Sequence, residues 1–260
     1  VTDSGTDRDP DPEVGSDPRA SPGTRESLAR SGPEPATRGR PGPASPEAVP
    51  RLHLITDDAI LARPDFVAVG HALVAAGGSD VALHVRGPST DGRTLYRRTL
   101  GLRGPTRDSG VVLVVNDRVD VAVAADADAV QLGGRSLPVQ RLPEASSALR
   151  VGVSVHTIEA ASAADDADWL LVGTIYATPS HPERPGAGPA FLGAVAAVTT
   201  RPTIAIGGVS PERVGEVVRA GARGVAVMRG VWDASDPIEA LHRYLEAVRL
   251  DPTPDSTPTP

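Results

Sequence analysis

The chain has 260 residues, with 26 basic and 33 acidic side chains giving a net charge of −7. Its charges are spread along its length, which argues against a nucleic-acid-binding surface. It contains no cysteine, which excludes disulfides, thiolate nucleophiles and cysteine-based metal sites, and no lysine, so any bound anion must be met by arginines and backbone amides. No apolar run approaches the length of a membrane span and the polar N-terminus has no signal-peptide core, so the expected location is the cytoplasm, without membrane or nucleic-acid partners.

Residues 1–50 are rich in Pro, Gly, Ser, Asp, Glu and Arg and poor in large apolar side chains. Such a stretch cannot offset the entropy of ordering itself and is expected to be a disordered leader. The tail at 251–260, D-P-T-P-D-S-T-P-T-P, is expected to be unpacked for the same reason. Between them, residues 51–250 alternate short β-rich apolar runs with amphipathic stretches. The expected strands are Leu52–Thr56, Val81–Arg86, Val111–Val115, Ala129–Leu132, Val151–His156, Trp169–Gly173, Thr203–Ile206 and Val225–Met228. Helical patterns fall at Asp65–Ala76, Pro138–Ala148, Ile158–Ala164, Phe191–Val198, Pro211–Ala220 and Pro237–Val248. The weakest segment is Thr90–Gly110, where Gly101, Gly104 and Pro105 interrupt the expected second helix. Eight strands, each followed by a helix, imply an α/β fold of a single domain, most simply a (β/α)8 TIM barrel; an open doubly wound sheet is the fallback.

In such a barrel the C-terminal strand ends line the active mouth. Alternation on the fifth strand sets Val151, Val153 and Val155 apart from Gly152, Ser154 and His156, and on the second strand Val81, Leu83 and Val85 apart from Ala82, His84 and Arg86. The polar sets converge on one mouth. On the seventh strand the same reasoning points Ile204 and Ile206 at the helices and Thr203, Ala205 and Gly207 at the lumen. An imidazole at a strand end suits general acid–base chemistry, and His156 is the candidate catalyst, against the plainer reading that it only supports the next helix start. His84 and Arg86 could hold a carboxylate or phosphate, or Arg86 could pair with Asp57 or Asp117. Asn116 and Asp117 fall at the third strand's end, where one carboxylate with an amide could help bind Mg²⁺, although a cation bound with a diphosphate normally wants more than one fixed oxygen. Helix capping explains Asp117 about as well. The stretch Thr203–Gly230 reads strand, Gly207-Gly208, helix, strand, Arg229-Gly230. That order suits a phosphate grip of amides at a helix start, although Gly-Gly serves equally as a tight turn. The long loop 174–188, with His181 and Arg184, suits a lid or substrate wall.

These segments, L-H-L-I-T-D-D, H-V-R at 84–86, V-V-N-D-R-V-D-V-A, A-D-A-V-Q-L-G, G-V-S-V-H, V-G-T-I-Y-A-T-P-S, I-A-I-G-G-V and G-V-A-V-M-R-G, resemble the thiamine phosphate synthase/TenI superfamily of TIM barrels over nearly all of Leu52–Val248. The resemblance implies one of two activities. The synthase couples a pyrimidine diphosphate to a thiazole phosphate and carries two diphosphate lysines and a second Mg²⁺-binding Asp. Here His84 stands for the usual Gln, Pro88 and His181 for the lysines, and Ser136 for the Asp. Those departures favour the other branch, a TenI-type thiazole tautomerase needing neither metal nor cofactor, with His156 as proton carrier. By the same match Gly207, Gly208, Met228 and Arg229 hold the substrate phosphate, Ser154, Thr178 and Ser180 contact the ring or its carboxylate, and His84, Arg86 and Asn116 line the same mouth. The alternatives are thiamine phosphate synthase, with Mg²⁺ and Asp117 as its ligand, and a non-catalytic regulator binding thiazole or thiamine phosphates. In each case the partner is a small phosphorylated thiazole, with a homo-oligomer left open.

Overall fold

The computed structural model describes residues 45–178 and 185–250. Eight strands, β1 (Leu52–Ile55), β2 (Val81–Val85), β3 (Val112–Asn116), β4 (Ala129–Leu132), β5 (Arg150–Val155), β6 (Trp169–Gly173), β7 (Thr203–Ile206) and β8 (Gly224–Val227), form a closed parallel barrel. Each pairs with the next, and β8 returns to β1 through Leu52↔Val225. The helices around it are α1 (Asp58–Leu61), α2 (Phe66–Gly77), α3 (Gly92–Ser109), α4 (Val119–Ala124), α5 (Ile158–Ser162), α6 (Gly188–Ala196), α7 (Pro211–Arg219), α8 (Arg229–Trp232) and α9 (Pro237–Leu250). The fold is the expected TIM barrel.

Covering a parallel sheet on both faces requires two apolar layers, which is why its strands read as near-continuous hydrophobic runs. Leu52, Leu54, Leu83, Val85, Val151 and Val172 pack outward against the helices. Ile55, Ala82, Val114, Ala129, Trp169, Leu171, Ile204 and Ala226 fill the lumen. The alternation expected on the second and fifth strands therefore holds. On β7 it is inverted, because Ile204 belongs to the lumen cluster and Ala205 to the outer one. Thr-Ile-Ala-Ile is apolar on both faces and offers no contrast from which to read a phase, and Gly207 follows at φ +101°, ending the strand geometry.

Three boundaries differ from expectation. The helix expected at Pro138–Ala148 is instead two 3₁₀ turns, Val139–Arg141 and Glu144–Ser146. Pro143 lacks an N–H and holds Leu142 extended, at ψ 142°. By contrast, α3 runs unbroken through Pro105. A proline there removes the N–H that would bond the Gly101 carbonyl, and His71 Nε2 on α2 donates to that carbonyl instead, at 2.8 Å. The expected leader, residues 1–50, also ends early. Residues 1–44 lie outside those described, but Pro46–Ala48 form a 3₁₀ turn and Val49 is buried in the lumen cluster. Arg223 and Arg150 hold this segment by donating to the carbonyls of Glu47, Val49 and Ala48. The expected tail, 251–260, lies outside the described residues.

Candidate active site at the barrel mouth

Polar side chains enter the lumen from six consecutive strands, β1 to β6. His53 on β1 donates from Nε2 to the Pro50 carbonyl at 3.1 Å, and its Nδ1 lies 2.9 Å from His84 Nε2 on β2. His84 Nδ1 lies 3.0 Å from the side-chain amide of Asn116 on β3. Burial pushes His84 down to about 4. Burial likewise pushes His53 well below its ordinary range, with the neighbouring His84 adding to the effect. A second chain begins at Trp169 on β6, whose indole N–H donates to Gln131 Oε1 at 2.9 Å; Gln131 Nε2 then donates to Ser154 Oγ on β5 at 3.1 Å. Space for that indole exists because residue 152 has no side chain: a Cβ there would lie 2.2 Å from Gln131 Oε1.

Above these chains lies the mouth. Asn116 ends β3 at its edge, and Asp117 follows at φ +63°, a conformation that Asp tolerates better than most residues. Asp117 Oδ1 accepts from Ser136 Oγ at 2.7 Å and from the Gly133 amide at 3.0 Å, leaving Oδ2 outside these bonds. Ser136, where the resemblance places a second carboxylate, thus braces the first. His156 is exposed at the end of β5 and donates from Nδ1 to the Gly173 carbonyl at the end of β6. Arg86 follows β2 and helps hold Asp58 below the usual carboxylate range, after the hydrogen bonds from Thr90 and Ser89. Arg229 lies 3.7 Å from Asp57, which also caps α1 by accepting from the Ile60 amide.

Gly207 and Gly208 adopt φ values of +101° and +63°, where a Cβ is strained. A Cβ on Gly207 would meet Thr174 at 2.4 Å, and one on Gly208 would meet the Ala177 carbonyl at 2.7 Å. Both glycines are therefore required by the turn itself. Among the described residues their amides have no hydrogen-bond acceptor, so they remain available to an anion beside the start of α7. The first-turn amides of α8, beginning at Arg229, point from the adjacent strand's end, where Met228 packs on the lumen cluster. Arg213 ties these pieces together: it donates to the Gly208 carbonyl at 2.9 Å and stacks over the Tyr176 ring, whose hydroxyl donates to Glu216 at 2.6 Å. Burial and that carboxylate push Tyr176 up to about 12.

Of the expected site residues, Asn116, Ser154, His156, Gly207, Gly208, Met228, Arg229, Arg86 and the partly buried Thr178 all fall at or just beyond strand ends on one side of the barrel. His84 does not reach the mouth. It is fully buried and both ring nitrogens are occupied by His53 and Asn116, so it cannot itself hold a carboxylate or phosphate. Ser180, His181 and Arg184 lie outside the described residues. The sequence reading missed His53, Gln131 and Trp169; the signal available was a polar residue inside a strand otherwise apolar on both faces. A groove of about 290 Å³ lined by Val67, Thr94, Arg97 and Arg98 lies on the outer helices, remote from this chemistry. Among the described residues no cluster of three or more His, Asp or Glu is placed to hold a metal, and no helix is long and apolar enough to cross a membrane.

A family model described as thiamine monophosphate synthase matches residues 52–231. A thiamine-phosphate synthase from Natronomonas pharaonis is 44% identical over 179 residues, covering 66% of this chain and 83% of the relative. One from Chloroflexus aurantiacus is 37% identical over 203 residues, covering 76% and 92%. Among solved structures, a thiamine phosphate pyrophosphorylase from Pyrococcus furiosus aligns with a TM-score of 0.67 at 30% identity, covering 77% of this chain and 96% of its own. These relatives overturn the expected isomerase, and with it the role of His156 as a tautomerase proton carrier. Missing lysines and a missing carboxylate weigh less than identity sustained across the whole barrel.

Proposed function

Because this chain belongs to the thiamine monophosphate synthase family, we propose that it is a thiamine-phosphate synthase, a transferase coupling a pyrimidine diphosphate to a thiazole phosphate. The observation that carries this reading is the 44% identity to a curated synthase over 179 residues. In the coupling, the thiazole nitrogen bonds to the carbon bearing the diphosphate, and diphosphate leaves with the electron pair of the broken C–O bond. No proton needs to move. His156 is thereby relieved of acid–base work, and its bond to Gly173 joins the ends of β5 and β6.

The chemistry demands stabilisation of negative charge on the departing diphosphate. Arg86 supplies a cation at the end of β2, and Arg229 another from β8, held near the mouth by Asp57. Gly207 and Gly208 amides, with those opening α8, form the grip for the thiazole phosphate. The residues present also admit Mg²⁺: a cation bound with a diphosphate takes only one or two protein carboxylates, and Asp117 keeps Oδ2 outside its bonds to Ser136 and Gly133. Bound there, Mg²⁺ would neutralise part of the diphosphate charge. Asn116 and Ser154 line the floor on which the rings rest. The test is to incubate the purified full chain with both substrates and Mg²⁺, following pyrophosphate release and thiamine phosphate formation against a known synthase. Absence of product under conditions where the control turns over refutes the reading.

A further inference from the structure

Each buried hydrogen-bond chain is tied at its foot to a group with only one hydrogen-bonding sense. The Pro50 carbonyl can only accept, so His53 Nε2 bears a proton. A neutral His53 then has a bare Nδ1, which accepts from His84 Nε2. A neutral His84 in turn has a bare Nδ1, facing the Oδ1 position of Asn116 at 3.0 Å. Two acceptors cannot share that contact, and a half-turn of the amide, equivalent in shape, puts the Asn116 NH₂ there as donor. The proton count is closed: three contacts need three hydrogens, the two neutral rings supply two, and the amide supplies the third. Leaving the amide unturned requires an imidazolium in the lumen. The charged side chains acting on His53 are Arg150 and Arg223, both cations, which oppose it.

The other chain runs in the opposite sense. The Trp169 indole can only donate, so Gln131 turns Oε1 towards it and Nε2 towards Ser154 Oγ. Ser154, accepting there, keeps its own hydrogen free. Asn116 and Ser154 flank Gln131, one as its register partner on β3 and the other as its hydrogen-bond partner on β5. We infer that the two chains fix the polarity of the mouth: Asn116 presents a carbonyl acceptor and Ser154 a hydroxyl donor, matching a nitrogen heterocycle whose edge carries an N–H beside a bare ring nitrogen. His53, His84, Gln131 and Trp169 act as positioning residues. As to the substrate, the inference rests on the synthase reading; as to the protein, it does not.

The test uses the full chain labelled with ¹⁵N-histidine, examined by long-range ¹H–¹⁵N correlation at pH 7.5. Both His53 and His84 should appear as neutral Nε2–H tautomers. An imidazolium, or an Nδ1–H tautomer at either ring, overturns the inference whether or not the protein makes thiamine phosphate. In a second arm, 4-aminopyrimidine and 4-methoxypyrimidine, which place a donor and an acceptor respectively beside the same bare ring nitrogen, are compared by titration calorimetry. The wild type should favour the amino compound by about tenfold. His53→Asn, whose side-chain oxygen replaces the Nδ1 acceptor, should keep the preference and His53→Leu should lose it. Equal binding of both probes by the wild type, or an undiminished preference in His53→Leu, refutes the assignment. If His53→Leu does not fold, the wild-type tautomers and probe ratio decide.

Discussion

Gly152→Ala adds one methyl to the part of the lumen that can least accept it. The new Cβ would lie 2.2 Å from Gln131 Oε1 and 2.3 Å from Trp169 Cε2 and Nε1, where ordinary contact is 3.4–4 Å. Trp169 is fully buried among Ile55, Ala82, Ala129 and Leu171, so relief requires the indole to move by about 1 Å within a close-packed core. Overpacking of this kind costs about 1–3 kcal/mol. Separating the indole N–H from Gln131 strands a buried donor and acceptor, adding about 1–3 kcal/mol. A combined loss of about 4 kcal/mol should lower the melting temperature by roughly 8–16 °C for a domain of this size. Differential scanning calorimetry of the two proteins measures it, and the Trp169 emission should shift with the lost hydrogen bond. A melting temperature within about 2 °C of wild type would show that the lumen is looser than these distances state, and would refute the account of why residue 152 lacks a side chain.

His71→Ala should cost about 0.5–1 kcal/mol by urea unfolding in the natural chain and nothing in a Pro105→Ala background, where the Gly101 carbonyl regains its backbone donor; equal costs in both refute the pairing. In the unfolded chain His53 and His84 titrate near 6.5, whereas burial holds both lower in the fold, His84 at about 4. Between those values the unfolded state binds more protons. The stability of the neutral pair is therefore complete above pH 6.5 and is lost as pH falls, by up to about 1.4 kcal/mol per pH unit for each ring. Urea midpoints at pH 7.5, 6.0 and 5.0 should fall in that order, more steeply than in a His53→Asn/His84→Gln variant; parallel slopes refute the assignment. Arg86→Gln should lower kcat for pyrophosphate release by about 10²-fold with partial recovery in Arg86→Lys, and an unchanged kcat would place the diphosphate elsewhere.

The barrel was legible because a parallel sheet covered on both faces writes itself as recurring runs of β-branched residues. Its phase could be read only where one face carried polar or small residues. Gly152-x-Ser154-x-His156 and Ala82-x-His84 supplied that contrast and Thr203–Ile206 did not. Pro105 misled for a different reason: the partner that rescues the Gly101 carbonyl sits on another helix, and a local rule about prolines cannot include it. The same limit hid the floor of the site. His53 and His84 are 31 residues apart, and Trp169 and Gln131 are 38 apart, so neither pair shares a local motif.

Non-local compensation also explains why departures at single matched positions point away from the synthase. A missing carboxylate at Ser136 reads in the sequence as a lost metal ligand, whereas in the fold the serine hydroxyl donates to Asp117 and orients the carboxylate that remains. A chain without lysine likewise reads as lacking diphosphate cations, yet Arg86 and Arg229 bring guanidinium groups to the ends of β2 and β8. Electrostatic stabilisation depends on the total charge and oriented dipoles gathered around the leaving group, not on which residue type stands at which position. Substitution at one matched position is therefore weak evidence of lost function when the surrounding barrel can supply the same field from neighbouring strands. That argument also directs the experiment: removing Arg86 or Arg229 singly tests a contribution, whereas removing both tests whether the two guanidinium groups together stabilise the departing diphosphate.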